Sequence, residues 1–141
     1  MIGCLERDPS FKTDRLTSAI LQFPSGQCIF TASSQAVYYQ KMQFFGTQGR
    51  IDVEIPFNAP TDKPARIFID DGKDLYAGGS AIAESFPICN QFTIQADLFS
   101  AAILDDKEVS TPLEDSIRNM AVIGAVFRSG ESGKWETPER L

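Results

Sequence analysis

The sequence predicts an α+β domain, a predominantly antiparallel open sheet with two C-terminal helices packed on one face. Short segments of strand character, separated by tight turns, fill roughly the first 90 of the 141 residues. Two segments with helical apolar spacing come only after them. The links between strands are too short for the crossover that parallel pairing needs, so neighbours in sequence must run antiparallel. Strands first and helices afterwards is the order of an α+β fold, with residues 1–141 forming one domain.

No element is predicted before Asp14. Residues 14–23 read as a strand, Pro24-Ser25-Gly26 closes it, and residues 27–34 return as its hairpin partner. A third strand is predicted over 36–45, turned by Gly46-Thr47-Gln48-Gly49. In residues 50–55, Ile51, Val53 and Ile55 alternate with charged or polar neighbours, the pattern of a strand with one apolar face. Prolines at 56, 60 and 64 make the next segment a loop, because proline donates no ladder hydrogen bond. Strands over 65–70 and 81–86 follow, the first ended by Asp70-Asp71-Gly72.

The first helix is predicted over 91–104, with Phe92, Ala96, Phe99 and Ile103 on one stripe and Asn90 as its N-cap. The second opens at Thr111-Pro112-Leu113-Glu114, which combines a capping box with a proline suited to the first turn. Its stripe is Leu113, Ile117 and Met120 with Ala121, Gly124 and Phe127, and Ser129-Gly130 places a glycine at its end. In the third strand Val37, Tyr39 and Phe45 fall on one face and Tyr38, Met42 and Phe44 on the other. Two apolar faces on one sheet call for a cover on the side away from the helices, either a second copy of the chain or another domain.

Composition removes several classes of function. The net charge of -6 repels a phosphate backbone, which argues against nucleic acid as a partner. No run approaches the ~18 apolar residues of a membrane span. Residues 1–8, Met-Ile-Gly-Cys-Leu-Glu-Arg-Asp, lack the regions of a signal peptide, so the expected location is the cytoplasm. Cys4, Cys28 and Cys89 are odd in number and widely spaced, and there is no histidine; they are expected as buried or half-buried free thiols and not as metal ligands.

Candidate chemistry is sparse. Asp70-Asp71 and Asp105-Asp106 sit at turns and read as solvated turn residues. Gly78-Gly79 lacks the third glycine and the strand–helix setting of a phosphate loop. Lys41 and Lys73 stand without a base or electrophile, and Ser25 lies in a hairpin turn with no histidine to serve it. No catalytic, cofactor-binding or metal-ligating residue is assigned. One cluster has a chemical use: Asn90, Gln91, Phe92 and Gln95 gather amides and an aromatic ring about a helix start, where they can hydrogen-bond a polyol or sugar. The same residues also read as a cap with solvent contacts.

Three stretches resemble one family. These are the segment from Asp14 to Gly26, the hairpin Phe45-Gly46-Thr47-Gln48-Gly49-Arg50-Ile51, and a closing pattern that runs in order along the two helices. The last comprises Gln91-Phe92, Gln95 and Phe99, then Pro112-Leu113-Glu114-Asp115, Asn119-Met120 and Ile123, then Ser129-Gly130 and Gly133-Lys134-Trp135. Together they resemble the C-terminal domain of the Gfo/Idh/MocA oxidoreductases, over nearly the whole chain. The resemblance implies an N-terminal Rossmann domain that binds NAD or NADP, with a catalytic lysine in Glu-Lys-Pro and a further Asp-x-x-x-His pair. This sequence holds none of these motifs, so it reads as the later part of the C-terminal domain.

The resemblance further implies a sugar, polyol or related hydroxyl substrate and a sheet that serves as the oligomer interface. A homodimer or higher homo-oligomer is the expected assembly, and the isolated chain is expected to bind no cofactor and to be inactive. At position 92 the family often has tyrosine, so Phe92 loses a hydroxyl contact and leaves Gln91 and Gln95 as the better hydrogen-bonding residues. The alternative is a non-enzymatic homo-oligomerisation or small-ligand-binding module.

Overall fold

A computed structural model describes residues 1–74 and 79–140. In chain order its elements are β1 (Ile2–Arg7), β2 (Asp14–Phe23), β3 (Gly26–Ser33), β4 (Met42–Gly46), β5 (Gly49–Val53), β6 (Ala65–Asp70), β7 (Ile82–Phe86), α1 (Gln91–Leu104) and α2 (Leu113–Ser132). The fold is α+β and every strand pairing is antiparallel, as expected. The strands divide into two sheets, ordered β1-β2-β3 and β4-β5-β6-β7. They lie in two compact units, Met1–Val37 with Thr111–Leu141, and Tyr38–Ser110.

In the first unit, β1 is a strand that local pattern does not reveal. It pairs along β2 from Ile2 opposite Ile20 to Arg7 opposite Asp14. The β2–β3 hairpin turns on Pro24-Ser25, with Phe23 opposite Gly26. α2 packs on β1 through small residues. A Cβ on Gly3 would lie 2.7 Å from the Val126 carbonyl oxygen, and one on Gly130 would lie 2.7 Å from Leu5 Cγ. The fully buried Ser129 fastens the contact: its Oγ accepts from the Gly3 N–H at 2.9 Å and donates to the Lys134 carbonyl at 2.6 Å. Ala19, Ala125 and Val126 form the buried apolar core.

Both ends of α2 differ from expectation. Pro112 is the N-cap itself and no side chain caps the helix, so Thr111 lies one position too early for a capping box. Glu114 and Asp115 occupy the first turn, where the helix dipole favours negative charge. The helix runs through Gly130 to Ser132, and Gly133, at φ 66°, supplies the left-handed cap. Gly130 is needed for room against Leu5 and does not end the helix. Leu113, Ile117 and Met120 of the expected stripe are exposed, and the buried positions are Ala125, Val126 and Ser129. A helix of this length extends about 30 Å, more than the roughly 20 Å that β1 offers.

In the second unit the expected strand over 36–45 begins only at Met42. Val37, Tyr38 and Tyr39 precede it, almost fully exposed, so the proposed split of these three between two sheet faces does not apply. Gly46 pairs with Gly49 around Thr47-Gln48, and Gly49 has φ 153°, with the Asp70 carbonyl where a Cβ would stand. The register aligns Phe44, Ile51, Ile69 and Ile82 in one row and Met42, Val53 and Ile67 in the next. The opposite face carries Gln43, Arg50, Asp52, Asp70 and Phe68. α1 begins at Gln91 as expected, with Asn90 Oδ1 accepting from the N–H groups of Phe92 and Thr93 at 3.0 and 3.3 Å. None of its residues is buried, so the stripe of Phe92, Phe99 and Ile103 faces outward.

The exposed area is large. A compact globule of 15.5 kDa exposes about 7,200 Å², and two separate globules of half that mass about 8,700 Å². This chain exposes 11292 Å². Large apolar side chains are among the exposed residues, Phe44, Phe45, Ile82, Phe92 and Phe99 included.

Candidate functional site at the start of helix α1

Two glutamines hold the loop after β5, Gln40 from the stretch before β4 and Gln91 from the start of α1. Gln40 Oε1 accepts from the N–H groups of Phe57 and Asn58 at 2.9 and 3.0 Å. Gln91 Nε2 donates to the Phe57 carbonyl at 3.2 Å. The Phe57–Asn58 backbone is thereby gripped from both sides. Gln95 lies one turn beyond Gln91 on the same side of the helix and is exposed, as is the Phe92 ring.

Of the sequence-predicted site residues, Gln91 meets the loop, Asn90 caps the helix beside it, and Phe92 and Gln95 follow along α1. Asn90 takes two of the N–H groups that begin the helix, so those donors are not open to a ligand. Gln91 has one amide hydrogen bond in use. What remains is a surface with amide groups beside two exposed rings, Phe57 and Phe92, suited to hydroxyls and to the C–H face of a sugar. Gln40 was not predicted as part of it, because it falls in the stretch that reads as strand and its bonds reach 17 and 18 residues along the chain.

A second polar cluster lies on the charged face of β5 and β6. Arg50 pairs with Asp70 at 3.0 Å and with Asp52 at 3.5 Å, and Lys41 stands 3.6 Å from Asp52. Asp70 also accepts from the Ser80 hydroxyl at 2.6 Å and the Gly72 N–H at 2.9 Å. These bonds, with the Arg50 charge, hold its carboxyl below the ordinary range despite burial. Asp70 is therefore a buried network residue and not the solvated turn residue expected. Asp71 remains exposed and pairs with Lys73, whose ammonium lowers its pKa. An ionised carboxylate with its acceptor sites engaged has no proton to give at neutral pH, so Asp70 fits a structural role.

The remaining candidates disperse. Lys107 pairs with Asp105. Cys4, Cys28 and Cys89 are free thiols, and they are exposed and not buried or half-buried as expected. Gly78 lies outside the described residues. Among the described residues no three His, Cys, Asp or Glu side chains are grouped to hold a metal ion, and no helix is long and apolar enough to cross a membrane.

No family model matches the chain. The uncharacterised oxidoreductase ORF334 of Rhizobium meliloti is 40% identical over 131 residues, 92% of this chain. The chain spans only 39% of that relative's length. Among solved structures, the aldose-aldose oxidoreductase of Caulobacter crescentus, complexed with glycerol, superposes with a TM-score of 0.76 at 21% identity, over 94% of this chain and 39% of that one. A Klebsiella pneumoniae protein assigned as an oxidoreductase gives 0.73 at 18% identity, over 99% of this chain and 43% of that one. At such identities the structures establish a shared fold. The chain is thus similar over nearly its whole length to part of an oxidoreductase, and it shares its fold with part of each of these two solved structures.

Proposed function

We propose that this chain is the substrate-side portion of an NAD- or NADP-dependent oxidoreductase that acts on a sugar, polyol or related hydroxyl compound in the cytoplasm. The observation that carries the reading is the 40% identity to an oxidoreductase along 92% of the chain. The glycerol-complexed aldose-aldose oxidoreductase of like fold supports the substrate class. Asn90, Gln91, Phe92 and Gln95 form a wall that orients substrate hydroxyls, with Gln40 holding the Phe57–Asn58 loop in place. Both sheets here are antiparallel, which does not fit the parallel strand–helix cradle that holds a dinucleotide. The nicotinamide and the hydride step therefore belong to another part of the enzyme, and this chain by itself is inactive.

Two measurements test this. The purified chain should show neither NADH nor NADPH binding by calorimetry and no dehydrogenase turnover; turnover would overturn the assignment. In the second, this chain replaces the matching segment of the Rhizobium relative. Gln95→Ala in that chimera should raise KM for a polyol substrate several-fold with a smaller change in kcat, and an unchanged KM removes the wall.

A second reading, self-association through an apolar sheet face, is favoured by the surplus of exposed area over two compact globules. It is compatible with the first. Sedimentation of the purified chain decides it, and a strict monomer at high concentration would count against it.

A further inference from the structure

We draw no further inference here: the strongest candidate, the apolar face of the four-stranded sheet with Phe44, Ile51, Ile69 and Ile82, already enters the reading above, and nothing in the structure shows what covers it.

Discussion

Replacing Ser129 with alanine should loosen the seam between α2 and β1. The hydroxyl is fully buried and bridges two backbone groups, the Gly3 N–H at 2.9 Å and the Lys134 carbonyl at 2.6 Å. Each hydrogen bond contributes about 0.5–1.5 kcal/mol net, and a donor left unpaired costs more when water cannot reach it. Gly3 is half-buried and Lys134 exposed, so water compensates the carbonyl better than the N–H. The expected loss is about 1.5–3 kcal/mol. Urea unfolding followed by circular dichroism, and by fluorescence of Trp135 one residue beyond the Lys134 carbonyl, reads it directly. With a slope near ~1 kcal/mol/M, the midpoint should fall by about 1.5–3 M. Ser129→Cys, similar in shape but a weak hydrogen-bonding group, should fall between the two. If alanine shifts stability by less than about 0.5 kcal/mol at unchanged slope, the hydroxyl does not hold the seam.

Gly49→Ala should destabilise the β4–β5 hairpin by at least about 2 kcal/mol, since it combines a strained φ of 153° with a clash on the Asp70 carbonyl; wild-type thermal stability would refute this. Asp8 and Asp70 both have pKa values lowered in the fold, Asp8 chiefly by the Phe11 N–H and Asp70 chiefly by the Ser80 hydroxyl. Their contribution is therefore complete above the unfolded carboxylate pKa of about 4 and is lost as pH falls through the lower folded values. A titration from pH 7 to 2 followed by circular dichroism should show that acid limb, and Asp70→Asn should flatten it. Ile82→Lys places a charge in the exposed apolar row of the second sheet and should shift any self-association toward monomer; an unchanged sedimentation coefficient in an associating sample would exclude that face as the contact.

Local signals were legible and long-range partners were not. The start of α1 follows from Asn90, whose side chain caps the two N–H groups that the sequence leaves needing a partner. The same logic misplaces the end of α2, because Gly130 looks like a terminating glycine and only the approach of Leu5, 125 positions earlier in the chain, shows its other use. β1 escaped notice for a related reason: Ile2, Cys4 and Leu5 have no alternation of their own and become a strand by pairing with β2 and docking α2. Tyr38 and Tyr39 have strand propensity but no neighbouring strand to pair with. Asp70 does stand at a turn, yet Arg50, 20 residues away, draws it into a network. Of the proposed substrate wall, Asn90, Gln91, Phe92 and Gln95 are legible as amides and a ring about a helix start, and Gln40 is not, because its bonds form only once the loop has folded back.

The second sheet shows why an incomplete surface can be recognised from one chain. Its charged face closes on itself, with Arg50 between Asp52 and Asp70, Lys41 beside Asp52, and Arg66 on Glu54 at 2.6 Å. Asp52 and Asp70 are buried within this network, while Arg66 and Glu54 pair at the surface. The other face aligns Phe44, Ile51, Ile69 and Ile82 with Met42, Val53 and Ile67, and Glu84 is the charged group in register with them. Apart from Phe45 and Phe68 on the charged side and Glu84 on the apolar one, the strand period of two sorts charge from hydrocarbon, the pattern of a sheet with one face suited to burial. The exposed row and the exposed stripe of α1 are therefore the surfaces on which the self-association proposed above would act.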